Sequence, residues 1–86
     1  MELVLSEEDV IDNKYICTAF TKNESHVALD VVYAEYHKPT NHLVIYSDNN
    51  LLLDDWDLKN VVKLIVNPKV ITTGIKDLIN QSTNIS

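Results

Sequence analysis

The stretch DDWDLKNVVKLIVNP, residues 54–68, decides how the rest of the chain is read. Leu58, Val61, Val62 and Ile65 recur in it at i, i+3, i+4 and i+7, the spacing of one apolar face of an α-helix. Asp54 suits the cap of such a helix, and Asp55 and Asp57 suit its first turn, where the backbone dipole favours negative charge. Asn67 and Pro68 end the run, so the spacing predicts a helix over 55–66. On its wheel Trp56 falls opposite the apolar stripe, and is either an exposed aromatic anchor or a ring folded back to close the core.

Upstream, residues 26–36 alternate as a strand, with Val27, Leu29, Val31 and Tyr33 on one face and Ala28, Asp30, Val32, Ala34 and Tyr36 on the other. The segment from His37 to His42 contains Pro39 and reads as a hairpin turn, after which residues 42–47 return. Pairing His37 with His42 brings Tyr33 opposite Tyr46 and Ala34 opposite Ile45. In the turn at Ser47–Asn50, asparagine stands in for glycine where positive φ is needed. Residues 3–5 suit an edge strand, and residues 15–21 have the β-branched and aromatic character of another, with continuation of the preceding helix through residue 20 as the alternative. Ser6, followed by Glu7, Glu8 and Asp9, reads as a capped short helix over 7–12. Ile71, Ile75, Leu78 and Ile79 suggest a second longer helix over 70–81, with Val70–Thr72 as a segment that can instead be extended.

The expected fold is therefore α+β: a meander of three or four antiparallel strands with two helices packed on one face. At 86 residues the length fits one domain, assigned to 1–81, with 82–86 as a frayed tail.

Composition excludes several functions. The single glycine, Gly74, rules out glycine-rich phosphate loops and dinucleotide fingerprints. Thirteen acids face seven lysines and no arginine, for a net charge of −6, which is a poor basis for direct nucleic-acid binding. Residues 1–57 carry −9 and residues 58–86 carry +3. Cys17 is the sole cysteine, so no internal disulfide forms, and it is read as a small core residue. With no basic, apolar leader at the start and no long apolar run, the expected compartment is the cytoplasm, away from membranes. Plentiful asparagine, isoleucine and lysine with scarce glycine, alanine and proline point to an AT-rich coding sequence.

Candidate chemistry is sparse. His37 and His42 flank a turn, with Glu35 and His26 as further donors, but their spacing matches no zinc pattern. Asp54, Asp55 and Asp57 lack the glycine and distal glutamate of a calcium loop. Asp30 lies in the most apolar strand and must be paired, protonated or open to water. No cofactor, metal site or catalytic set is expected, so the chain reads as a non-enzyme. In size and charge alone it resembles small acidic immunity proteins, antitoxins and phage inhibitors of defence nucleases.

The implied function is binding to a partner protein with a basic, nucleic-acid-handling surface, which it inhibits or regulates. The candidate partner-binding residues are Glu7, Glu8, Asp9, Asp12, Asp54, Asp55, Trp56 and Asp57, with Tyr36 near the hairpin tip. The alternative is an assembly subunit that forms a homodimer or larger homo-oligomer through a sheet edge or a helix.

Overall fold

Residues 54–68 do not form a helix. In the computed structural model, which describes residues 1–7, 10–82 and the backbone of 84–85, they form strand, turn and strand. Strand β6 (Leu52–Asp57) runs into a single 3-10 turn (Leu58–Asn60) and then into β7 (Val61–Val66). Four of the six β7 residues are β-branched, which restricts side-chain freedom in a helix and packs well on a pleated surface. A strand also accounts for the same letters: Leu64 and Val66 are fully buried on one face, and a register shift between Phe20↔Lys63 and Thr21↔Val61 resets the phase, so Val61 is buried and Val62 is 52% exposed. The capping chemistry survives at smaller scale, for the Asp57 carboxylate accepts the Lys59 backbone N–H at 2.9 Å and caps only the 3-10 turn.

The α+β expectation is thus overturned, because the chain is mostly β and its two sheets face one another across a shared core. The remaining strands are β1 (Glu2–Leu5), β2 (Tyr15–Thr21), β3 (Ser25–Val31), β4 (Tyr33–His37), β5 (His42–Tyr46), β8 (Ile71–Thr73) and β9 (Asn84–Ile85). One sheet has the order β3-β2-β7-β1-β9 and the other β6-β5-β4-β8. The pairs β7–β1, β1–β9 and β4–β8 are parallel, so the sheets are not simple meanders. Within the segment 82–86, Asn84 and Ile85 pair in register with Glu2 and Leu3.

The run 26–36 proves to be two strands in two sheets. Asp30 adopts φ 59°, and three β3 steps oppose two of β2 between Tyr15↔Val31 and Cys17↔Ala28. This bulge flips the inward phase, so Ala28 and Val31 are both buried while Val27, Leu29 and Asp30 face out. At Val32 the chain leaves the first sheet, its N–H donating to the Tyr46 carbonyl at 2.9 Å, and enters the second as β4. Asp30 is exposed, which removes the buried-carboxylate reading. Cys17 is buried in the core and lies opposite Ala28 rather than Asp30.

The hairpin keeps the expected register throughout, from His37↔His42 to Tyr33↔Tyr46. Tyr33 and Tyr46 stack with ring centroids 4.7 Å apart. Asn41, Asn49 and Asn50 all take positive φ, as the lack of glycine requires.

Two helix expectations also change. Ile11 and Lys14 bridge across a tight turn in which Asp12 and Asn13 have φ 57°, the geometry of a two-residue hairpin turn, so no helix reaches residue 12. Glu8 and Asp9 lie outside the described residues. Val70 closes a turn on Asn67, Ile71–Thr73 is extended, and the helix α1 (Ile75–Gln81) starts only after Gly74. Ile75, Leu78 and Ile79 of α1 pack onto the core, and Leu78 is fully buried. Among the described residues no helix is long and apolar enough to cross a membrane.

Candidate functional site

Strand β6 is an edge strand, with β5 as its one neighbour in the sheet. Its period of two turns Trp56 inward, beside Leu43, and places Asp55 and Asp57 on the outer face beside Val44 and His42. Trp56 is only 6% exposed and belongs to the core, so it is not a projecting anchor. Tyr36 is 2% exposed and equally unavailable. Its hydroxyl donates to Asn41 Oδ1 at 2.8 Å and also pairs with the Gln81 side-chain amide, which ties the hairpin to α1.

Burial raises the Tyr36 phenol above its ordinary value of 10.0, and the Asp77 carboxylate adds to the effect. The folded state therefore favours the neutral phenol. That contribution is complete below the unfolded value and is lost as pH rises through the higher folded one. Chemical denaturation should show stability falling above about pH 10, and Tyr36→Phe should flatten that alkaline limb. An alkaline limb unchanged in the variant would disprove the assignment.

Each β6 carboxylate has a defined local contact. Asp54 Oδ1 accepts the Asp55 backbone N–H at 2.9 Å. Asp55 Oδ1 lies 2.7 Å from His42 Nδ1, which must carry the hydrogen because an ionised carboxylate only accepts. Asp57 Oδ2 lies 3.8 Å from His42 Nε2. His37 pairs with Glu35 at 3.4 Å instead of sharing a ligand set with His42. Among the described residues no group of three or more histidines, cysteines and acids is placed to hold a metal.

The Asp55 and Asp57 side chains are 49% and 54% exposed, and Leu51, Leu52 and Leu53 precede them at 62%, 55% and 38% exposed. The edge is therefore apolar at one end and acidic at the other. Facing it from β3, His26 lies with its ring 6.4 Å from that of Trp56. A cleft of about 280 Å³ opens between them, lined by Thr21, His26, Asp54, Asp55, Trp56 and Asp57, with Val61 at its end. The Trp56 indole N–H, sealed from solvent, has no acceptor among the described residues.

Of the first acidic group, the described members Glu7 and Asp12 lie apart from Asp54, Asp55 and Asp57. Ser6, next to Glu7, donates its N–H to the Val66 carbonyl at the far end of β7, whereas Asp57 precedes the near end. Six residues of strand separate them by roughly 17 Å. Glu7 lines a different cavity with Asn67 and Lys69, and Asp12 sits in the tight turn.

Sequence reasoning missed His42 as the partner of Asp55, His26 beside Trp56, and the leucine run as part of the same edge. Comparison of the chain with protein-family models, curated proteins and solved structures finds no match.

Proposed function

We propose that the chain is a non-enzymatic binding module that engages a basic surface on another protein, one that handles nucleic acid, and inhibits or regulates it. The observation that carries this reading is the β6 edge, where exposed Asp55 and Asp57 follow directly on exposed Leu51, Leu52 and Leu53. Exposed ion pairs contribute about 0–1 kcal/mol each, so the acids set encounter rate and partner choice. The leucines supply the apolar contact that Trp56 and Tyr36 cannot, being buried.

With a captured partner, Asp55→Lys combined with Asp57→Lys should slow association about tenfold at low salt and flatten its salt dependence. Leu52→Ser should act mainly on dissociation. Binding indifferent to both the reversals and salt would sink this reading.

The assembly reading has its own support. The outward face of the larger sheet carries the register row Val4–Ile65–Thr18–Val27, flanked by Ile16 and Leu29. Ile16, Val27 and Leu29 are 45%, 54% and 59% exposed. A salt-insensitive dimer in sedimentation, dispersed by Val27→Lys, would favour assembly over partner binding.

A further inference from the structure

We infer that the end of the sandwich where the β2–β3 and β6–β7 turns meet takes an extended peptide segment carrying a basic side chain close to a carboxylate. This inference rests on the reading of the acidic β6 edge as a binding surface and specifies the chemistry of its occupant. Beside the 280 Å³ cleft lies a second cavity of about 600 Å³, lined by Lys22, Asn23, Glu24, Lys59 and Asn60 among others. Thr21 and Val61 line both cavities and are register partners between β2 and β7, so one pair of residues forms the shared wall.

Lys22 and Lys59 outnumber Glu24 in the larger cavity, and Asp54, Asp55 and Asp57 line the smaller, so the two sides keep opposite net signs. Among the described residues neither Lys22 nor Lys59 lies within 4.0 Å of a carboxylate. A uniformly basic ligand would satisfy Asp55 and Asp57 but meet the two lysines unfavourably. A ligand with both signs satisfies both cavities, and the Asn23 and Asn60 amides add hydrogen bonds to its carboxylate side.

Two further observations favour a peptide over a small zwitterion. The buried Trp56 N–H at the acidic cleft lacks an acceptor among the described residues, and an extended peptide brings backbone carbonyls. Strand β6 has one neighbour, which leaves its other side open to an added strand. On that strand the Asp55 N–H donates to the adjacent Asp54 carboxylate. A peptide carbonyl can take that N–H and release Asp54 to the incoming basic group. Entry toward Trp56 requires the His26 side chain, 44% exposed on the edge strand β3, to swing outward.

The test uses the ¹⁵N-labelled full chain, in which Trp56, the sole tryptophan, gives one indole N–H resonance. The probes are acetyl-Lys-Val-Glu-amide, its two singly charged analogues with norleucine for lysine or glutamine for glutamate, and polylysine. At concentrations up to about 10 mM, the doubly charged peptide should bind about tenfold more tightly than either analogue. It should shift the indole resonance and the amides of Thr21, Lys22, Asp55 and Asp57. Lys22→Gln with Lys59→Gln should remove the glutamate's share, and Asp55→Asn with Asp57→Asn the lysine's. If the doubly charged peptide binds no tighter than the lysine-only peptide, or leaves these resonances unmoved, the inference is overturned. Salt-dependent polylysine binding in that case leaves the acidic-edge reading standing. Failure of polylysine and of every lysine peptide overturns both.

Discussion

Leu64→Ala should destabilise the protein by about 3 kcal/mol, and Val62→Ala by less than about 1 kcal/mol. Leu64 is fully buried between the sheets, so truncation loses its transfer energy and leaves a cavity, while Val62 is 52% exposed and has little to lose. The helical spacing of 58, 61, 62 and 65 makes the opposite prediction, since it places Val62 in the stripe and Leu64 outside it. Urea denaturation of the two variants decides between the registers, and a Val62 loss exceeding the Leu64 loss would contradict the strand.

Gly74→Ala should cost about 3 kcal/mol or more, the largest effect expected from adding a single methyl group. Gly74 has φ 82°, where an L side chain costs about 1–2 kcal/mol by itself. An added Cβ would also lie 2.3 Å from the Tyr36 carbonyl oxygen, which is backbone and cannot rotate away. Relief requires α1 to move off β4, breaking the Tyr36–Gln81 contact and unseating Leu78. With a native stability of about 5–15 kcal/mol expected for a domain, the variant should unfold at markedly lower denaturant. A change under about 1 kcal/mol would show that the close approach is not fixed.

What was legible in the sequence follows physical locality. The β4–β5 hairpin could be read to the residue because its register is set by a short turn and by side chains a few positions apart. Residues 54–66 could not, because a β-bulged strand pair and an amphipathic helix place apolar residues at overlapping positions. The β-branched content of Val61, Val62, Ile65 and Val66 is the contrary signal, and of the two places open to Trp56 the structure takes the one in the core. The sheet change at Val32 carries no glycine or proline, and Asp30, a residue type that tolerates positive φ, was its one mark. The acids of the candidate site were visible as charges. Their contact with His42, and the meeting of Lys22 with Lys59, depend on pairings between distant strands that spacing does not encode.

The position of β1 governs the order in which the protein can form. Its residues 2–5 are flanked on both sides by parallel partners, residues 63–66 of β7 and residues 84–85 of β9. The first strand of the chain thus has no sheet partner until some sixty later residues are in place. Closing so long a loop costs entropy before any ladder bond repays it, and β-rich topologies of this kind fold in milliseconds to seconds. Until then Leu3 and its neighbours are unpaired apolar backbone, the species most prone to associate with another chain. Stopped-flow refolding tests this order: if β1 docks late, Leu3→Ala should speed unfolding and leave the folding rate nearly unchanged, and a slowed folding rate would place β1 in the transition state.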